Sequence, residues 1–152
     1  GRARVRLYVL DSNVYIEAAR SPLKAEELVS FSSSFLPHLY FHAVVAQELL
    51  AGATNSEWRR EIERGIVGPF ERRGRLVTPT FKAWKRSGEI IADLIERRRL
   101  SSGGVPRSFL NDVLLAVSCR EAGLTLVTNN TADFELIAEV EPIRFGLPWP
   151  KA

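Results

Sequence analysis

Cysteine and histidine are scarce in this chain. One cysteine, Cys119, and two histidines, His38 and His42, stand among 152 residues. A lone cysteine excludes an internal disulfide framework and suits a reducing compartment, so a cytoplasmic protein is expected. So few nitrogen and sulfur donors also argue against a His/Cys zinc centre, and any metal has to be held by oxygen. No apolar run approaches the ~20 residues of a membrane helix. The basic start, Gly1 to Arg6, is followed by an apolar run too short for a signal peptide, so none is expected. A G-x-x-x-x-G-K-[ST] loop is missing, which disfavours an NTPase. Ser12 has no evident histidine base, which disfavours a serine hydrolase.

What is present is an ordinary globular composition, 45% hydrophobic and 26% charged. The length suits one domain over residues 1–152, able to bury roughly two thirds of its unfolded surface. Charge is distributed unevenly. Residues 59–107 hold thirteen Lys or Arg and six Asp or Glu, a net of +7, while the remainder carries a net of −4. Arg59, Arg60, Arg64, Lys85, Arg86, Arg97, Arg98 and Arg99 are readable as solvated helix faces. As a group they suit a polyanionic partner, and Lys85, Arg86 and Arg97 to Arg99 are the candidate contacts with it.

Short apolar runs alternate with helical patterns. Val5–Leu10, Leu39–Phe41, Leu76–Val77, Leu124–Thr128 and Ile143–Phe145 read as strands. Helices are expected over 14–19, 23–36, 43–51, 55–73, 80–100, 108–122 and 130–138, with Gly65 and Gly68-Pro69 casting doubt on the end of the fourth. Strands that are continuously apolar and separated by helices predict a parallel sheet covered on both faces, an α/β sandwich in one domain.

Four carboxylates stand where such a fold places ligands, beyond the carboxyl ends of strands, or interrupt apolar helix faces. Asp11 follows the first strand directly, where it also reads as a helix cap. Glu48 has Val44, Val45, Ala51 and Gly52 one turn away, an odd setting for a solvated glutamate. Asp112 sits among Phe109, Leu115 and Ala116, or alternatively serves the helix dipole. Asp133 follows the fourth strand, in an Asn130-x-x-Asp133 arrangement that also reads as capping. Singly these are weak signals. Several carboxylates in one cleft repel one another unless a hard cation such as magnesium or manganese offsets them. That ion suits phosphodiester hydrolysis, and the basic segment suits the substrate. His38 and His42 are expected in ordinary structural roles, as are Cys119 and the tryptophans Trp58, Trp84 and Trp149.

The order Asp11-Ser12-Asn13, Gln47 to Gly52, Asp112-Val113-Leu114-Leu115-Ala116 and Thr128-Asn129-Asn130-Thr131-Ala132-Asp133-Phe134 resembles the PIN-domain ribonucleases, in particular the VapC-type toxins of toxin–antitoxin pairs. The resemblance spans about Val5 to Phe145. It implies an α/β/α fold in which Asp11, Glu48, Asp112 and Asp133 coordinate magnesium or manganese. Thr128 and Asn130 would hold the acidic cluster, and Ser12 or Asn13 would contact the metal shell or the scissile phosphate. It further implies an endoribonuclease acting on structured RNA (tRNA or ribosomal RNA), a homodimer, and a cognate antitoxin whose peptide enters the active-site groove. Gln47 departs from a frequent Ser or Thr, and Leu115 from a frequent Ile. A PIN-fold nuclease of RNA maturation or of DNA, or a non-catalytic RNA- or protein-binding module, are the alternatives.

Overall fold

In the computed structural model, which describes residues 5–151, five parallel strands form one sheet in the order β3-β2-β1-β4-β5. They are β1 (Leu7–Leu10), β2 (Leu39–His42), β3 (Leu76–Val77), β4 (Leu124–Val127) and β5 (Phe145–Gly146). The central strands β1, β2 and β4 are almost wholly buried, as the apolar runs require. The helices are α1 (Ser12–Arg20), α2 (Pro22–Phe35), α3 (Ala43–Gly52), α4 (Ser56–Ile62), α5 (Gly68–Arg72), α6 (Phe81–Glu96), α7 (Arg107–Glu121) and α8 (Thr131–Ala138). Right-handed crossovers put α1 to α5 on one face and α6 to α8 on the other. The α/β/α sandwich expected from the sequence is the observed fold. Val9, Leu10, Phe41, Leu115, Leu126 and Phe134 fill its core.

Several boundaries differ from the sequence reading, each for a local reason. The fifth strand is Phe145–Gly146 rather than Ile143–Phe145, because Leu126 and Val127 are what it pairs with. The expected helix over 55–73 runs as α4 and α5 joined by a π turn at Glu63–Val67. Pro69 has no N–H to donate, and the Gly68 N–H reaches back to Glu63 O. A Cβ on Gly68 would lie 2.8 Å from that same oxygen, which explains the glycine. The sixth helix stops at Glu96, not Leu100. Arg98 adopts φ 60°, and the N–H groups of Arg98 and Arg99 return to Ile95 O (2.9 Å) and Leu94 O (2.7 Å), a Schellman stop built without glycine.

The chain order places the functional edge. Strand order reverses direction between β1 and β4, which opens a crevice at their carboxyl ends. The parallel register Leu10↔Val127 makes Asp11 and Thr128 the next residues on each strand. Asp11 N still donates to Val127 O at 2.9 Å, so the backbone carries the first carboxylate to the rim before the chain turns into α1.

Candidate active site

Asp11 occupies the N-cap position of α1, and its Oδ1 accepts the Ser12 N–H at 2.8 Å. Capping and cleft location are therefore both true of it. The residue is buried, and its Oδ2 accepts from Thr128 Oγ1 at 2.8 Å and from Asn13 Nδ2 at 3.1 Å. Burial raises its pKa, against the lowering effect of these donors.

Glu48 is half-buried on α3 rather than solvated. Ser12 Oγ donates to its Oε1 at 3.1 Å. Burial, then the charge of Asp11, raise its pKa, while the Ser12 and Asn111 side chains act in the opposite sense. The helix that carries Glu48 begins at His42. This histidine is fully buried, its Nδ1 accepts the Val44 N–H at 3.0 Å, and its Nε2 meets Ser118 Oγ at 2.8 Å. It is thus the N-cap of α3 and ties that helix to α7. Burial lowers its pKa to about 4.

Asp112 lies in the second turn of α7 and not the first, so the helix dipole does not account for it. It is 6% exposed. Asn130 Nδ2 donates both to its Oδ2 (3.3 Å) and to Asp133 Oδ2 (3.0 Å). Asn130 stands at the N-cap position of α8 but its side chain makes no capping bond; it bridges two carboxylates instead. Burial pushes the Asp112 pKa up to about 9, helped by a hydrogen bond with Asp133 and by the charges of Asp11, Asp133 and Glu48.

The four carboxylates therefore stand as two bridged pairs, Asp11 with Glu48 through Ser12, and Asp112 with Asp133 through Asn130. Among the described residues, no group of three or more His, Cys, Asp or Glu side chains is arranged to hold a metal ion as it stands. The donor chemistry nevertheless suits a hard divalent cation, since only oxygens and amides line the cluster. Asn13 is more fully engaged than a substrate contact would be. Its Nδ2 donates to Asp11 and to Thr128 Oγ1 (3.2 Å), and its Oδ1 accepts Asn129 N at 3.1 Å. Asn129 in turn donates to Glu17 at 2.9 Å, a link from α1 to the β4–α8 loop that the sequence reading did not single out. The only sequence signal for Asn129 was its place inside the Thr-x-Asn motif.

The basic segment is not gathered as one free surface. Arg97 pairs with Asp93 at 3.0 Å, Arg99 with Glu139 at 2.8 Å, and Arg86 with the buried Glu141, which also takes Arg120 at 2.7 Å. Among the described residues no ion pair involves Lys85 or Arg98; Lys85 lies over the Phe81 ring at 5.9 Å. Trp84, expected to pack, is 58% exposed, whereas Trp149 stacks on Phe31 at 4.8 Å. Cys119 is buried as expected, and burial raises its thiol pKa.

A family model described as PIN domain matches residues 8–140. None of the curated proteins compared with the chain matches it. Among solved structures, DNA-bound VapBC from Salmonella typhimurium is similar with a TM-score of 0.69 and 22% identity, over 94% of this chain and 98% of that one. FitAcB from Neisseria gonorrhoeae follows at 0.68 and 21%, over 95% and 100%. FitAB bound to an IR36 DNA fragment aligns at 0.68 and 18%, over 96% and 98%. At such identities the likeness is one of fold.

Proposed function

The chain belongs to the PIN-domain family, and on that premise we propose that it is a divalent-cation-dependent endoribonuclease serving as the toxin of a toxin–antitoxin pair. One observation carries the reading. Asp112 is buried beside Asp133 at the β1/β4 crevice, with Asn130 spanning both and Asp11 and Glu48 raising its pKa further. A fold gains nothing in stability from such a cluster, so its use is chemical. Magnesium or manganese held by Asp11, Glu48, Asp112 and Asp133, directly or through water, would supply positive charge against the phosphodiester and make water acidic enough to attack it.

The chain's own contribution is to orient the oxygens. Thr128 and Asn13 fix Oδ2 of Asp11. Ser12 turns Glu48 inward, and Asn130 holds Asp112 against Asp133. With no cation, a proton on Asp112 relieves the repulsion.

The toxin reading rests on the VapC-type motif order and on the VapBC and FitAB assemblies that share the fold. It includes a second copy and an antitoxin. Phe81, Trp84, Gly88 and Ala92 lie on one exposed face of α6, and we assign that stripe to the homodimer.

The test is cleavage of total cellular RNA with end mapping. Activity is expected with magnesium or manganese and not with chelator. Asp11→Asn and Asp112→Asn should each lower it at least ~100-fold while the protein stays folded. Undiminished cleavage by either variant defeats the reading.

A further inference from the structure

The edge of the sheet opposite the carboxylates carries its own charged feature. β1, β4 and β5 lie side by side, and each is preceded by an arginine: Arg6 just before Leu7, Arg120 in the last turn of α7, and Arg144 just before Phe145. Together with Gly123, Pro142 and neighbouring residues, they line a groove of about 980 Å³ that contains no acidic side chain. All three arginines are exposed. Among the described residues, Arg6 and Arg144 take part in no ion pair, and Arg120 uses one nitrogen, Nη1, on Glu141. Three guanidinium forks thus stand at the amino ends of three adjacent strands, which lie ~4.8 Å apart. A run of positive charge on that scale suits the closely spaced phosphates of a nucleic-acid strand. Guanidinium forks also match phosphate oxygens bidentately.

We propose that this groove is a second docking site for the RNA, gripping its phosphate backbone away from the bond to be cut. The proposal rests on the ribonuclease reading for the identity of the polyanion. The strands of β1 and β4 have four residues each, so the sheet is only ~13 Å deep. A folded RNA reaches both edges, and its second contact raises the effective concentration of the first. Structured RNA is thereby favoured over short oligonucleotides, with no sequence being read.

The experiment measures binding apart from cleavage. A fluorescein-labelled 20-nucleotide uridine RNA is titrated with the full chain in EDTA across a salt series, with wild type, Arg6→Gln/Arg144→Gln and Arg6→Lys/Arg144→Lys compared. Both side chains are solvent-exposed, so the variants should keep the wild-type thermal midpoint. The glutamine pair is expected to bind more weakly and to lower the log–log salt slope by about 1.4, at ~0.7 per lost phosphate on a single strand. The lysine pair should retain the wild-type slope. An unchanged slope in the glutamine pair overturns the proposal. So does a glutamate 20-mer that displaces the RNA as well as unlabelled RNA of equal charge, since the groove then serves an acidic protein segment. If the wild-type chain cleaves no RNA but the slope difference stands, the ribonuclease reading falls and the groove remains a nucleic-acid site.

Discussion

Asp112 and His42 show how burial acts in opposite senses on an acid and a base. The folded protein holds the Asp112 proton up to about pH 9, whereas the unfolded chain releases it near the ordinary aspartate value of 3.8. This group therefore favours folding below about pH 4 and progressively less as pH rises toward 9. At pH 7.5 a cation that claims the carboxylate must displace the proton. Binding of manganese is expected to release about one proton, measured by titration calorimetry in buffers of different ionisation heat. Binding with no proton release would place Asp112 outside the cation's reach. His42 works the other way. The unfolded chain takes up a proton near 6.5, the folded one only near 4. Stability is fully present above 6.5 and falls on the order of 3 kcal/mol as pH drops from 6.5 to 4. His42→Asn keeps an N-cap acceptor and should lose that fall in urea unfolding curves. An identical pH profile in the two proteins would show that His42 is already charged in the fold.

Elements explain why these side chains meet. α3 begins at an imidazole cap, which sets the direction of the helix that carries Glu48. The β4–α8 loop brings Thr128 to Asp11 and Asn130 to the Asp112–Asp133 pair. The helix ends were less legible than the helices. The arginine run 97–99 continues a helix-favouring pattern, and nothing in it announces a stop. The stop exists because Leu94 is fully buried and its carbonyl takes the N–H groups of Arg99 and Leu100, which drives Arg98 to positive φ. A left-handed arginine costs about 1 kcal/mol relative to glycine. Arg98→Gly is thus expected to raise stability by about that amount, read as a higher denaturant midpoint with unchanged slope. A lower midpoint would mean that the Arg98 side chain makes a contact worth more than the strain.

At the scale of the whole molecule the surface is divided. Acids gather at the carboxyl edge of the sheet, the arginine groove lies at the amino edge, and α6 presents aromatic rings between charged neighbours. Phe81 is 78% exposed and Trp84 58%, unusual for large rings that a second copy does not cover. Phe81→Ser/Trp84→Ser is expected to weaken self-association at least ~30-fold, each ring acting as an interface hot spot. Light scattering across a concentration series reads this. A double variant that remains as dimeric as wild type would move the interface elsewhere.

The amino-acid sequence by itself determined the alternation of buried strands and helices, hence a sheet covered on both faces, and the position of Asp11 just beyond the first strand; that the first and fourth strands are neighbours, with Thr128 beyond the end of the fourth, came from the tertiary structure. It determined these because hydrophobic periodicity and turn residues act locally. Tertiary structure decided what no local pattern encodes: that Asn130 bridges carboxylates rather than capping α8, that Asn13 is held by three partners, and that Arg86, Arg97 and Arg99 are tied to acids of their own chain. Those outcomes depend on which side chains from distant segments arrive within hydrogen-bonding reach. Packing of the sheet and helices sets that distance, and a short stretch of sequence does not.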